Sequence, residues 1–418
     1  MNIVFYTQYY PPETGAPQNR ISDWAIRLKR NGHSVTVLTA LPNYPTGQIF
    51  EGYKNRVLFE EVIDGIRVIR TWVYATYSRN FLSRIANYLS FAFSSLLLGM
   101  FKIGSGDVVV VESPPLFIGA SGLLLSKIIG AKMVFNVSDL WPESAIAMGI
   151  LKNTILISFS TWLENLIYRN STLITGQTEG IVANISSRFP HKAVELITNG
   201  VDIEFFDQSS SPADSLAARS EFDLQEYFVV GYAGLHGLAQ RLETVLQAAT
   251  MLSGYSEIMF AFFGEGPEKV ALQKMAAQLD LKNVRFYPNQ SRKEMPSVLK
   301  TLDASVIPLR GLDLFRGALP SKMFEAMAAS VPIILSLEGE ARDLLETAQA
   351  GICVAPENCS ALAAAVLELY QNREYAKALG KNGRAFVVRN FDREEITTRF
   401  ERLLLTTQTS RPIQVSAV

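Results

Sequence analysis

Residues 319–334, LPSKMFEAMAASVPII, place a lysine and a glutamate where they could do chemistry together. Pro320 and Ser321 stand where a helix would start, Lys322 falls in its first turn, and Glu325 follows three residues on. Proline is tolerated at a helix start because that N–H has no intrahelical partner. The remaining free N–H groups and the dipole favour an anion, and Lys322 adds a full positive charge. Glu325 lies on nearly the same face, placed to accept hydrogen bonds from hydroxyls. One helix end thus offers a phosphate site beside a hydroxyl site, a combination suited to a sugar nucleotide. The same pair also reads as a solvated surface contact worth a few tenths of a kcal/mol, so the rest of the chain has to decide.

Four other segments supply candidate groups. In 9–17, YYPPETGAP, Gly15 and Ala16 precede a helix and let backbone approach a phosphate or sugar; a plain strand-to-helix turn fits equally. In 136–144, NVSDLWPES, Asp139 and Glu143 flank Trp141. Asp139 could act as a base or orient a substrate hydroxyl, or it could cap a helix beginning at Pro142. In 232–241, YAGLHGLAQR, Gly234 and Gly237 bracket His236, one titratable side chain on a flexible backbone beside the phosphate site. The spacing is not GxGxxG and no acidic residue closes the second strand, which argues against a dehydrogenase. In 263–267, FGEGP, Gly264 and Glu265 form a second glycine loop able to pack closely on a base.

These loops need strands and helices to position them. Apolar runs at 3–7, 34–39, 107–112, 132–137, 173–175 and 194–197 alternate with helical periods, and 57–61 and 66–71 form a hairpin through Asp64-Gly65. A second series follows at 228–232, 257–263, 284–287, 304–307, 333–336 and 351–354. Strands alternating with helices predict α/β architecture, two Rossmann-like doubly wound parallel-sheet domains in tandem. The predicted layout is 1–202 for an acceptor-binding domain, 203–226 for a polar linker, and 227–390 for a nucleotide-sugar-binding domain. A helix at 391–405 could pack back on the first domain, and 406–418 is expected to be a disordered tail. The carboxyl ends of both sheets are expected to face one cleft, the usual ligand site in such folds.

Composition narrows the classes. Lys plus Arg number 39 against 40 for Asp plus Glu, so no global field selects nucleic acid. The two cysteines lack metal-site spacing, and three scattered histidines do not make a metal cluster. MNIVFYTQYY opens on a strand without a basic leader region, which predicts a cytoplasmic location. No run reaches about 18 strongly apolar residues. The nearest approach is 88–103, YLSFAFSSLLLGMFKI, preceded by Arg79 and Arg84. It reads as a buried helix or as one lying in a membrane interface.

Taken in order, QYYPPETGAP, LPNYPTG, SDLWPES, TNGVD, FGEGP and LPSKMFEAMA resemble the family 4 glycosyltransferases, two-domain enzymes of the GT-B fold. The resemblance spans almost the whole chain and is nearest the WbuB-like O-antigen and capsule transferases proposed to act on N-acetylfucosamine. It implies a retaining, metal-independent transfer with no cofactor, from a UDP-sugar to a lipid-linked saccharide, with peripheral inner-membrane contact through 79–103. It also implies that the Gly15–Ala16 loop approaches the donor diphosphate, that Lys322 contacts phosphate, and that Glu325 holds the ribose hydroxyls. Gly317, Ala318 and Leu319 would present amides near the donor sugar, with Arg316, Ser321, Gly234, His236, Gly264 and Glu265 around the nucleotide. Three positions depart from the family pattern: Gly317 stands where a partner glutamate is usual, Leu235 and Gln240 replace an Arg and a Lys, and Ser138-Asp139 replaces a histidine. A UDP-sugar 2-epimerase of the same fold and a non-catalytic scaffold of a polysaccharide assembly complex are the alternatives.

Overall fold

The computed structural model describes residues 1–76, 81–208 and 212–409. Arg79 and residues 410–418 of the expected tail lie outside them. The chain forms two compact units, one comprising Met1–Asn199 with the segment from Glu394 onward, the other Gly200–Arg393.

The amino unit is built on eight strands: β1 (Asn2–Tyr6), β2 (Ser34–Ala40), β3 (Leu58–Ile63), β4 (Ile66–Thr71), β5 (Val108–Ser113), β6 (Lys132–Val137), β7 (Leu173–Gly176) and β8 (Val194–Leu196). Their order is β3-β4-β2-β1-β5-β6-β7-β8, parallel throughout except for the β3–β4 hairpin. Asp64 and Gly65 both take positive φ at that turn, as a two-residue hairpin loop requires. Strand order reverses at β1/β5, so the loops after these two strands diverge and leave a crevice at their carboxyl ends.

Alternate residues of β1 serve opposite faces. Val4 and Tyr6 join Phe91, Phe117 and Leu163 from the helices Phe81–Ser94, Phe117–Ile129 and Thr154–Asn170. Ile3 and Phe5 join Trp24 from Ala16–Arg30 and Phe400 from the final helix Arg393–Thr409. Trp24 and Phe400 stack with ring centroids 4.5 Å apart. The final helix continues through Thr406 to Thr409, and Thr407 is buried.

The helical run Leu82–Ile103 is longer than the expected 88–103. It covers 22 residues, enough by length and composition to cross a membrane. A π-helical turn at Ser95–Gly99 joins the helix Phe81–Ser94 to a short helix at Met100–Ile103, so the run continues through the serines and asparagine that interrupt its apolar pattern.

The second unit carries β9 (Phe228–Ala233), β10 (Ile258–Phe263), β11 (Val284–Tyr287), β12 (Ala304–Pro308), β13 (Ile333–Ser336) and β14 (Gly351–Val354). All are parallel, in the order β11-β10-β9-β12-β13-β14, with the switch point between β9 and β12. The polar stretch read as a linker holds the helices Ile203–Gln208 and Pro212–Glu221. They pack on this unit: Ile203 and Phe206 are buried, Ser215 Oγ donates to the Lys300 carbonyl at 3.0 Å, and Arg219 pairs with Asp303 at 2.7 Å.

Candidate functional site

In the second unit the loop after β9 meets the start of the helix Ser321–Ala328, and the loop after β10 packs on that loop. That helix has Pro320 at its N-cap, no side-chain cap and no acidic residue in its first turn. Its positive end is therefore unopposed, and Lys322 adds a further cation there, an arrangement that is unfavourable until an anion arrives. Lys322 Nζ donates to the Tyr232 hydroxyl at 2.5 Å and lies 4.2 Å from the centre of the Tyr232 ring. Burial lowers its pKa to about 8, partly opposed by Glu325. Glu325 is pushed the other way, upward, by its own burial, with Arg393, Lys322 and Arg292 countering.

The glycine loops fit around this lysine. Gly234 sits at φ +133°, and a Cβ on it would lie 2.6 Å from Lys322 Nζ. Gly264, at φ +138°, would drive a Cβ into the Gly234 carbonyl oxygen. Both positions demand glycine for conformation and for closeness. Glu265 is exposed and pairs with Lys269 at 2.6 Å.

Two expectations fail here. His236 was placed near phosphate by its glycine neighbours, yet its ring is fully buried against Tyr232, Phe262 and Phe286. Burial and the cations Lys269 and Lys322 depress its pKa to about 4, so it is neutral and cannot offset phosphate charge. Its backbone does the work instead: the N–H donates to the Glu265 carbonyl at 2.9 Å, and its carbonyl accepts from Glu268 at 3.0 Å, tying the two glycine loops together. Ala318 likewise spends its amide on the Phe315 carbonyl at 3.0 Å, inside the turn Asp313–Gly317, and does not present it to a ligand. Arg316, in the same turn, is exposed, 4.0 Å from Asp313.

In the amino unit, Gly15 caps the helix Ala16–Arg30 with extended backbone, Pro17 in the first turn, and no side-chain cap or acid. The amides of its first turn therefore have no capping side chain, and the buried Gln18 Oε1 has no partner among the described residues. Asp139, just after β6, accepts from Ser144 Oγ at 2.8 Å and is pushed up by burial. It does not cap the following helix, whose N-cap is Pro142. Asp139 opens onto a cavity whose lining includes Arg84, Tyr88, Pro114, Trp141 and Ile150. The wall is mostly apolar with few polar groups, the usual composition of a ligand site.

Sequence reasoning missed two buried arrays in this unit. Glu112, closing β5, receives Arg20 Nη2 at 2.5 Å, Asn136 Nδ2 at 2.5 Å and the Ser138 hydroxyl, while Arg20 also reaches Ser138 at 2.9 Å and the Asn199 side chain. Glu13 accepts backbone N–H bonds from Asn43 and Tyr44 at 2.8 Å and from Tyr10 at 3.1 Å, and burial raises its pKa to about 7. A carboxylate ending the run VVVVES was the available signal for Glu112. Nothing local marks Glu13, whose partners Asn43 and Tyr44 lie some thirty residues away.

The model of the family described as glycosyl transferase 4-like domain matches residues 15–200, and that described as glycosyl transferases group 1 matches 217–386. The chain belongs to the glycosyltransferases. It is similar to the putative colanic acid biosynthesis glycosyl transferase WcaI of Escherichia coli (strain K12), 29% identical over 96% of this chain and 98% of that one. It also resembles the probable glycosyltransferase WbjE of Pseudomonas aeruginosa, 24% identical over 56% and 58% of the two chains. Among solved structures, Anabaena HepE in complex with UDP shares the fold at TM-score 0.72, with 16% identity over 97% of this chain and 100% of that one. Sucrose-phosphate synthase from Thermosynechococcus elongatus does so at TM-score 0.74, 16% identical over 98% and 100%. The transferase thus has the GT-B fold.

Proposed function

We propose that the transferase moves an N-acetylated hexose or deoxyhexose from a UDP-sugar, with retention, to a saccharide on a polyprenyl diphosphate carrier in surface-polysaccharide assembly at the cytoplasmic face of the membrane. The observation that carries the donor half is Lys322, a cation set at an uncapped helix N-terminus and held against Tyr232 beside Gly234. A diphosphate relieves both unfavourable features of that placement. Glu325, one turn on, suits the ribose hydroxyls. HepE, which shares the fold, was solved with UDP bound, in agreement with a nucleoside diphosphate as leaving group.

In the reaction the bond from sugar C1 to the β-phosphate oxygen breaks, and its electron pair leaves with UDP. Lys322 and the helix amides bear the developing charge. The acceptor hydroxyl bonds to C1 from the same face, and its proton passes to the departing diphosphate. Asp139 orients that hydroxyl from the amino unit. The mostly apolar cavity beside Asp139, with Arg84 in its wall, suits the saccharide and head of a lipid-borne acceptor better than a free sugar. Release of UDP, measured with UDP-N-acetyl sugars in the presence and absence of a lipid-linked acceptor, tests the reading. Acceptor-dependent release that Lys322→Ala abolishes is expected; full turnover by that variant, or interconversion of the donor without acceptor, would overturn it.

A further inference from the structure

On one face of the amino sheet the helices Phe81–Ser94, Phe117–Ile129 and Thr154–Asn170 pack side by side. Their inner sides form the core, yet their outer sides are apolar too. Leu82, Leu89, Phe93, Leu97 and Phe101 are all exposed, Phe101 by 76%. The π-helical turn at Ser95–Gly99 rewinds the helix enough to keep the last of them in line. The stripe runs about 29 Å at 1.5 Å per residue. Leu124 and Ile128 continue it on the middle helix, and Ile155, Phe159, Trp162 and Leu166, at helical spacing, continue it on the third. An apolar face of three neighbouring helices is far more than the scattered exposed side chains of an ordinary surface.

The exposed charges carried by these helices have one sign. Arg84, Lys102, Lys127 and Arg169 are exposed on these helices or the turn that extends the first, with Lys102 also reaching Glu60 at 3.1 Å. The one carboxylate on them, Glu164, is buried against Arg188. The first helix cannot leave the fold to span a bilayer without breaking polar contacts to the sheet. Gln8 Nε2 donates to Asn87 at 2.6 Å, Ser94 Oγ to Thr71 at 3.1 Å, and Ser95 Oγ lies 2.5 Å from the Tyr6 hydroxyl. An apolar stripe along the helix axis, aromatic side chains and a basic border describe a helix layer that lies on a membrane.

We infer that the outer face of these three helices is a docking surface for an anionic lipid bilayer. It extends well past the single segment 79–103, and its third helix supplies the aromatic anchors Phe159 and Trp162. The cavity beside Asp139 is lined by Ile85 and Tyr88 of the first helix and Phe117 of the second, so it opens at the amino end of the same layer. Docking therefore brings the cavity to the level of the lipid headgroups, where a polyprenyl-borne saccharide would present itself. This inference builds on the lipid-linked acceptor proposed above.

The test is flotation of the full chain with vesicles of phosphatidylethanolamine and phosphatidylglycerol at about 3:1, against vesicles of phosphatidylcholine alone. Binding should be about tenfold stronger to the anionic vesicles at low salt. The double variant Phe93→Ser, Trp162→Ser should lose at least about tenfold in vesicle binding. It should keep the wild-type melting temperature and turnover of a water-soluble acceptor analogue. Lys127→Glu with Arg169→Glu should remove the preference for anionic lipid. Wild-type protein that does not float, or a dimer in light scattering that the Phe93/Trp162 variant dissociates, would overturn the inference. Flotation without turnover of any lipid-linked acceptor would overturn the acceptor assignment and leave the docking surface standing.

Discussion

Lys322 and Tyr232 form a couple in which each constrains the other. The Tyr232 hydroxyl accepts from Lys322 Nζ at 2.5 Å and donates to the Leu235 carbonyl at 2.6 Å. One phenol thereby fixes both the ammonium and the loop that carries Gly234. The pair determines where a phosphate oxygen would find its positive charge.

Loss of Lys322 should separate activity from stability. Lys322→Met is expected to lower kcat/KM by about a hundred- to a thousandfold, the usual cost of removing a charge-stabilising donor. It should not lower stability, because a desolvated cation at a helix N-terminus is a cost to the fold. The sign with pH follows from the depressed pKa of about 8. Between that value and about 10.5 the unfolded chain holds a proton that the folded chain has lost, so wild-type stability gains from this group as pH rises. Chemical denaturation across that window should show a smaller gain in the variant.

Tyr232→Phe should act through the lysine. Without the accepting hydroxyl the ammonium loses support, so the alkaline limb of kcat/KM should move to lower pH. A variant whose pH profile superimposes on wild type while kcat alone falls would assign Tyr232 to loop structure only.

His236→Leu should retain donor binding. Neither ring nitrogen makes a hydrogen bond of good geometry among the described residues, the Phe263 backbone giving only a weak contact, so the variant should be at least as stable as wild type at neutral pH. The ring is neutral down to about pH 4, below its ordinary value, so wild-type stability falls as pH drops from about 6.5 toward 4. The variant should lose that part of the acid sensitivity, which urea titrations at several pH values would reveal.

Arg20→Met should cost about 3–5 kcal/mol by leaving Glu112 charged and buried, and Glu112→Gln should do comparable damage. The double variant should recover much of it. A double-mutant cycle by urea unfolding measures the coupling, and additive losses would show that the two side chains act independently.

Asp139→Asn preserves an oxygen for Ser144 Oγ and removes the charge. Turnover should fall by about a hundredfold or more with nucleotide affinity unchanged, since the residue belongs to the amino unit and orients the acceptor. Single-turnover rates together with a UDP titration test the split.

Strand placement was legible because buried parallel strands read as short apolar runs bounded by Gly, Asp and Ser, and both series of runs became the two sheets. Helix content between 203 and 226 was not. Composition cannot distinguish a flexible polar segment from polar helices pinned by distant partners, here Lys300 and Asp303. The same blindness applied to the site. Lys322 and Glu325 were visible because one helix turn brings them together. The Arg20–Glu112 pair joins residues 92 positions apart, and the burial of the His236 ring depends on Phe262 and Phe286 from other strands. Local spacing reports neither.

The stacking of Phe400 on Trp24 bears on how this protein is made. Trp24 lies in the first helix, and the helix that covers it follows the whole second unit in the chain. A nascent chain thus emerges with the opening domain unfinished, one side of its sheet bare of Phe400 and Leu404 while the entire second unit is translated. Domains usually fold in the order in which they leave the ribosome. In this transferase the second unit can be complete before the first, and a premature stop near residue 392 would release a chain with an open, aggregation-prone core.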